Sequence, residues 1–246
     1  MSKLAGKVAL VTGGTRGMGA AIATRLAHDG ADVAVTYVTA GEKVRDVVAE
    51  IERTGRRGLA IAADSADPLA VRAAVEQTVA VLGRLNILVN NAGIYIEKRF
   101  EDLTPDDFNR MVAVNTRAAF VASQAAAPHM GEGGRIISIG SNLAERVPGP
   151  GLSLYSLTKA ALVGLTKGMA RDLGPHGITV NVVHPGSTDT DMNPADGKTA
   201  EAQRSLMAIP RYGEPRDIAG LVAWLASEEG RFVTGAALTI DGGANA

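Results

Sequence analysis

The chain has 246 residues, of which 46% are hydrophobic and 21% charged, and its net charge is −1. That balance describes a soluble globular protein and offers no basic excess for nucleic acid or an anionic membrane. With no cysteine, disulfides, thiolate metal sites and cysteine nucleophiles are excluded, and a reducing cytoplasm suits the chain.

Taken in chain order, the first apolar, β-branched run is Val8-Ala9-Leu10-Val11, a predicted strand. Thr12-Gly13-Gly14-Thr15-Arg16-Gly17-Met18-Gly19 follows it directly, and apolar residues at helical spacing continue through Ala27. Strand, glycine turn and helix form the context in which a glycine pattern reads as a dinucleotide site. Glycines let the backbone approach a pyrophosphate, and a helix N-terminus offers free N–H groups. Further strands are predicted at 33–37, 58–62, 87–89, 135–139, 179–183 and 237–240. Helices are predicted at 17–29, 42–54, 68–82, 105–129, 153–173 and 215–226. Alternation of this kind implies right-handed crossovers and a mostly parallel sheet covered on both faces. No linker divides the chain, so residues 1–246 read as one α/β domain. The stretch 188–210 is less periodic, with Pro194, Gly197 and Pro210 around a short helical piece, and loops of that length are often functional.

The segment SLYSLTKAAL places Tyr155 and Lys159 four residues apart, on one face of a helix. A phenol titrates near 10, so acid–base work near neutrality needs a shift of about 3 units, roughly 4 kcal/mol. One ammonium at about 4 Å in an effective dielectric of ~20 supplies that much. Lys159 is therefore expected to acidify Tyr155.

TGGTRGMG, Asn90-Asn91-Ala92-Gly93, Asn115, Ser141, Tyr155 with Lys159, and Pro185-Gly186 together resemble the short-chain dehydrogenase/reductase family. The match runs in order from about Lys7 to Asp241. The resemblance implies a single-domain Rossmann-type doubly wound parallel sheet of about seven strands. It implies reduction of a ketone or other carbonyl to a secondary alcohol, reversibly, with Tyr155 as general acid or base. Ser141 would orient the oxygen, Lys159 would bind the nicotinamide ribose and tune Tyr155, and Asn115 would hold a relay water; a mid-helix asparagine is also commonly a bend or a buried amide bonded to backbone. Ser141 precedes Tyr155 by 14 residues where 13 is commoner in the family; Asn142 holds the commoner position and Ser138 is a third choice. The strand-then-serine pattern favours Ser141, with the extra residue absorbed in the Pro/Gly-rich loop 145–152.

For the cofactor, the family implies contacts from Gly13, Thr15, Arg16, Gly17, Met18, Gly19, Asp64, Ser65, Asn91, Ala92, Gly93, Tyr155, Lys159, Pro185, Gly186, Thr188 and Thr190. Tyr37-Val38-Thr39-Ala40 ends the second strand without the acidic residue that grips a ribose 2′-hydroxyl in NAD sites. Arg16 could instead take a 2′-phosphate in a charge-assisted fork, so NADP(H) is expected over NAD(H). The same arginine could equally be an exposed one with no partner.

The family geometry places Ile94, Tyr95, Asn142, Leu143, Pro148, Leu152, Ser187, Met192 and Met207 around the substrate, beneath a lid at 188–210. Glu132 and His176 stand where carrier-protein reductases of the family hold basic docking residues, which makes a 3-oxoacyl-[acyl-carrier-protein] reductase the alternative reading. A non-catalytic NADP(H)-binding sensor or scaffold is the alternative of another class. The histidines at 28, 129, 176 and 184 lack metal-ligand spacing; His184 is expected at a strand end near the cofactor. Self-association through the long helices, as a homotetramer, also follows from the resemblance.

Overall fold

The computed structural model describes residues 2–246. The apolar runs form β1 (Val8–Val11), β2 (Asp32–Tyr37), β3 (Gly58–Ala62), β4 (Ile87–Asn90), β5 (Arg135–Ile139), β6 (Thr179–Pro185) and β7 (Ala237–Ile240). They pair in one parallel sheet of order β3-β2-β1-β4-β5-β6-β7. The order reverses between β1 and β4, which sit side by side with Leu10 level with Leu88. Open sheets of this kind bind ligands at the carboxyl ends of the strands, beside that reversal.

Alternate residues of the inner strands feed two cores, as the two-residue period of a strand requires. Ala9, Val11, Val35, Val89 and Ile137 face α1 (Gly17–His28), α2 (Glu42–Arg53) and α8 (Pro215–Ala226). Leu10, Ala34, Leu88 and Ile136 face α3 (Pro68–Leu82) and α5 (Ala118–Ala126), with Met169 of α6 (Ser153–Leu173) closing the layer. β6 runs two residues past its predicted end. His184 and Pro185 stay extended because they pair on toward Thr239 and Ile240 of the edge strand.

The helix predicted over 105–129 is not continuous. A capping box between Thr104 and Asp107 starts α4 (Pro105–Val112). A π turn (Ala113–Arg117) follows, then α5 and a short 3₁₀ turn (Ala127–His129) containing Pro128. The π turn holds Asn115, whose amide reaches out to the backbone of Ile94 and to Thr158; the widened turn accompanies that reach. Among the described residues, no helix is long and apolar enough to cross a membrane.

Candidate functional site

A crevice of about 750 Å³ opens at the carboxyl ends of β1 and β4. Its floor is the glycine loop, where Gly13 and Gly17 hold φ of 61° and 50°. At Gly19 an added Cβ would lie 2.4 Å from the Gly13 carbonyl oxygen and 2.5 Å from Asn91 Nδ2, so only glycine fits. Asn91 staples the loops after β1 and β4 together. Its Nδ2 donates to the carbonyls of Thr12 (2.9 Å) and Gly13 (3.0 Å). The Thr12 hydroxyl in turn accepts from the N–H groups of Asn91 and Ala92. Thr36 adds a third tie, accepting from Gly13 N at 2.9 Å. Sequence reasoning passed over Thr36; its only signal was a hydroxyl at the end of the strand beside the glycine loop.

Gly13, Thr15, Arg16, Gly17, Met18, Gly19, Tyr37, Val38, Thr39, Asp64, Ser65, Asn91, Ala92, Gly93, Tyr155, Lys159 and Thr190 all line the crevice. Pro185, Gly186 and Thr188 do not. Gly186 packs against Asp241, where a Cβ would sit 2.5 Å from that residue's own, and buried Thr188 donates to the Gly186 carbonyl. Asp64 accepts from Ala66 N at 2.8 Å, closing a turn while still facing the crevice. No carboxylate stands at 37–40, and exposed Arg16 makes no ion pair among the described residues. Lys43, at the start of α2, reaches across to Asp191 on the opposite rim at 2.6 Å.

Tyr155 and Lys159 project from the first turns of α6. Lys159 is buried, donates to the Ile139 carbonyl at 2.9 Å, and has no carboxylate partner. Burial pulls its ammonium down to about 8. The Tyr155 phenol is pushed up to about 12 by burial, with the Ser141 hydroxyl pulling the other way. Burial thus outweighs the acidification expected from Lys159. The ammonium stands over the ring, 5.7 Å from its centroid, and is turned to Ile139, so desolvation of the phenolate dominates.

The structure separates the serine candidates. Ser141 lies against the Tyr155 phenol. Asn142 instead exchanges hydrogen bonds with Asn245 at the far end of the chain. Ser138 is buried in the sheet beside Asn90. Asn115 is close to Lys159, both standing about 3.5 Å from where a Gly93 Cβ would be. Its amide also makes three hydrogen bonds: Oδ1 accepts from Ile94 N, and Nδ2 donates to Ile94 O and Thr158 Oγ1. The side chain thus braces α4 and α5 against α6.

Of the expected substrate residues, Ile94 and Met192 line the crevice. Tyr95 packs edge-on to Tyr155. Ser187 is hydrogen-bonded to Gln203, Met207 is buried near Gly242, and Pro148 is exposed. Leu143 and Leu152 flank Tyr155 in sequence space but lie outside the crevice lining. The segment 188–210 contains α7 (Ala200–Arg204) and is tied by a reciprocal amide pair, Asn193 with Gln203, at 3.0 Å in each direction. Neither amide had been singled out; only a polar residue on each arm of an irregular segment hinted at them. His184, expected at a strand end near the cofactor, lies at the end of β6, fully buried behind Ser141 and packed against Gly140 of the crevice lining.

A family model described as enoyl-(acyl carrier protein) reductase matches residues 13–245. A short-chain dehydrogenase from Burkholderia cenocepacia, solved in complex with NADP, is 64% identical with a TM-score of 0.98, over 99% of this chain and 100% of that one. The cyclic-di-GMP-binding biofilm dispersal mediator protein of Escherichia coli is 46% identical, covering 98% of each chain. A versicolorin reductase of Emericella nidulans is 40% identical over 98% of this chain and 97% of its own. The chain belongs to the short-chain dehydrogenase/reductase family.

Proposed function

We propose that this family member is an NADP(H)-dependent carbonyl reductase that converts a ketone to a secondary alcohol, reversibly. The observation behind this reading is the meeting of Tyr155, Ser141 and Lys159 at the end of β5, beside a glycine-floored crevice. The residues fit the nucleotide. Lys159 is a buried cation with N–H groups to spare, and exposed Arg16, without an ion pair among the described residues, lines the crevice and would take the 2′-phosphate. Solved relatives that hold NADP or NADPH support the same cofactor.

When bound, the nicotinamide would supply the hydride. Tyr155 would give its proton to the carbonyl oxygen as charge grows there. A phenol held near 12 is fully protonated at neutral pH, the form that reduction requires. The Ser141 hydroxyl would hydrogen-bond the same oxygen and hold it in line. Lys159, over the ring, would stabilise the phenolate left behind and hold the ribose hydroxyls. Tyr95, Ile94 and Met192 give the substrate side an apolar character that suits a ketone with a hydrophobic body. Glu132 and His176, both exposed, argue against docking of an acidic carrier protein. Exposed Phe120, beside an apolar groove with Met130 and Met169 between α5 and α6, supports self-association through those helices, which light scattering would test.

The test is Tyr155→Phe. It should bind NADPH as the parent does and lose ketone reduction by several orders of magnitude; undiminished turnover would place the acid elsewhere. A screen over ketones, quinones and β-ketoacyl thioesters, following NADPH consumption, assigns the substrate class. The relative named for cyclic-di-GMP binding motivates a second reading, a nucleotide-binding sensor. A pure binder has no need of Tyr155, Ser141 and Lys159 together. NADPH binding without turnover of any carbonyl in the screen would favour it.

A further inference from the structure

We propose that His184 is a positioning residue for Ser141, holding it through a side-chain rung that prolongs the sheet beyond its last backbone rung. The proposal rests on the reading of Ser141 as the group that orients the substrate oxygen.

Gly140 N donates to the Val183 carbonyl at 2.7 Å, the final backbone bond between the ends of β5 and β6. The next N–H along, that of Ser141, has an imidazole as its acceptor: Nδ1 of His184, at 3.0 Å. Ser141 is thereby kept extended, with φ of −164° and ψ of 148°. In that conformation its hydroxyl accepts from Leu143 N and lies against Tyr155. Since Nδ1 accepts, the ring proton is on Nε2. That nitrogen is buried and has no hydrogen-bond partner among the described residues. A fold retaining a buried, unsatisfied donor calls for an explanation. Among the described residues, the ring's one hydrogen bond is the one that holds Ser141.

The space around the ring is built for it. A Cβ on Gly140 would lie 2.2 Å from His184 Nδ1 and 2.6 Å from Cε1, so the glycine before the serine and the histidine before Pro185 form one fitted pair. The charged groups facing the imidazole are Glu145 and Lys159, acting in opposite senses. Burial holds its basicity below the usual histidine range, so Nδ1 remains an acceptor at neutral pH.

The experiment is a double-mutant cycle between His184→Leu, which fills the space without an acceptor, and Ser141→Ala. His184→Leu should lower kcat by about tenfold to a hundredfold, the scale of a misplaced reacting group. The NADPH dissociation constant, read by fluorescence, should be unchanged. His184→Asn, whose Oδ1 falls at the Nδ1 position, should restore most of the loss. In the Ser141→Ala background, His184→Leu should change kcat little. An equal loss in both backgrounds, or a parallel loss of NADPH binding, overturns the proposal. If Ser141→Ala alone leaves kcat intact, the reading of Ser141 fails and takes this proposal with it. A nitrogen-15 spectrum of the parent showing the proton on Nδ1 would also overturn it.

Discussion

The ring of Tyr95 stands edge-on to that of Tyr155, with centroids 5.0 Å apart and planes at 76°, while its hydroxyl donates to Glu97 at 2.7 Å. One aromatic thus packs against the candidate acid and is itself held from outside by Glu97. Edge-to-face pairs contribute about 0.5–1.5 kcal/mol beyond burial. Tyr95→Ala should lower kcat/KM for a ketone by roughly threefold to tenfold, mainly through KM. Tyr95→Phe keeps the ring and should lie close to the parent. Steady-state kinetics on both variants decides this; a defect in Phe as large as in Ala would show that the hydroxyl, not the ring, matters.

Arg16 should discriminate the two nucleotides. A charge-assisted fork to phosphate is worth about 1.5–3 kcal/mol, so Arg16→Ala should weaken NADPH binding about tenfold to a hundredfold. NADH binding should barely move. Titration calorimetry with both nucleotides checks the difference, and equal weakening of the two would remove Arg16 from the 2′-phosphate site.

Lys159 gives a stability prediction with a definite sign. Its folded value near 8 lies below the ordinary 10.5, so the unfolded chain holds more protons between those values. Raising pH across that window therefore stabilises the protein, and below it the buried charge costs on the order of 3 kcal/mol. Lys159→Met, without nucleotide, should be more resistant to urea than the parent at pH 7, and the gap should narrow by pH 10. It should also be inactive. A gap that does not change with pH would mean the ammonium is not paying for its burial.

Gly19→Ala should damage both fold and site. The added carbon would meet the Gly13 carbonyl oxygen, which is backbone and has little room to yield. Overpacking of this kind costs about 1–3 kcal/mol. A lower urea midpoint together with weaker NADPH binding is expected; a normal midpoint with normal binding would show that the loop tolerates a side chain.

The periodic parts of the fold were legible because burial on two faces leaves its mark on composition. α3 begins and ends at its predicted residues, with Asp67 capping it and Gly83 ending it in the left-handed conformation. The break at Asn115 was legible only as an alternative, a mid-helix asparagine being a common bend, since a π turn shifts the register without disturbing an alanine-rich apolar run. In the site, Ser141 could be favoured over Asn142 from the strand before it, and the geometry agrees. The burial of the Tyr155 phenol was not legible, because residue spacing gives proximity but not desolvation, and it leaves open which way a lysine turns. Asn193 and Gln203 were missed for a related reason: a reciprocal amide pair has no sequence pattern beyond two polar residues ten positions apart.

The arm between β6 and α8 is fastened by two unlike means. Neutral amides, Asn193 with Gln203, join the arm to itself, and opposite charges, Asp191 with Lys43, join it to α2. Salt screens the second and leaves the first almost untouched. Added electrolyte should therefore weaken the arm's tie to α2 while leaving the amide pair within the arm in place.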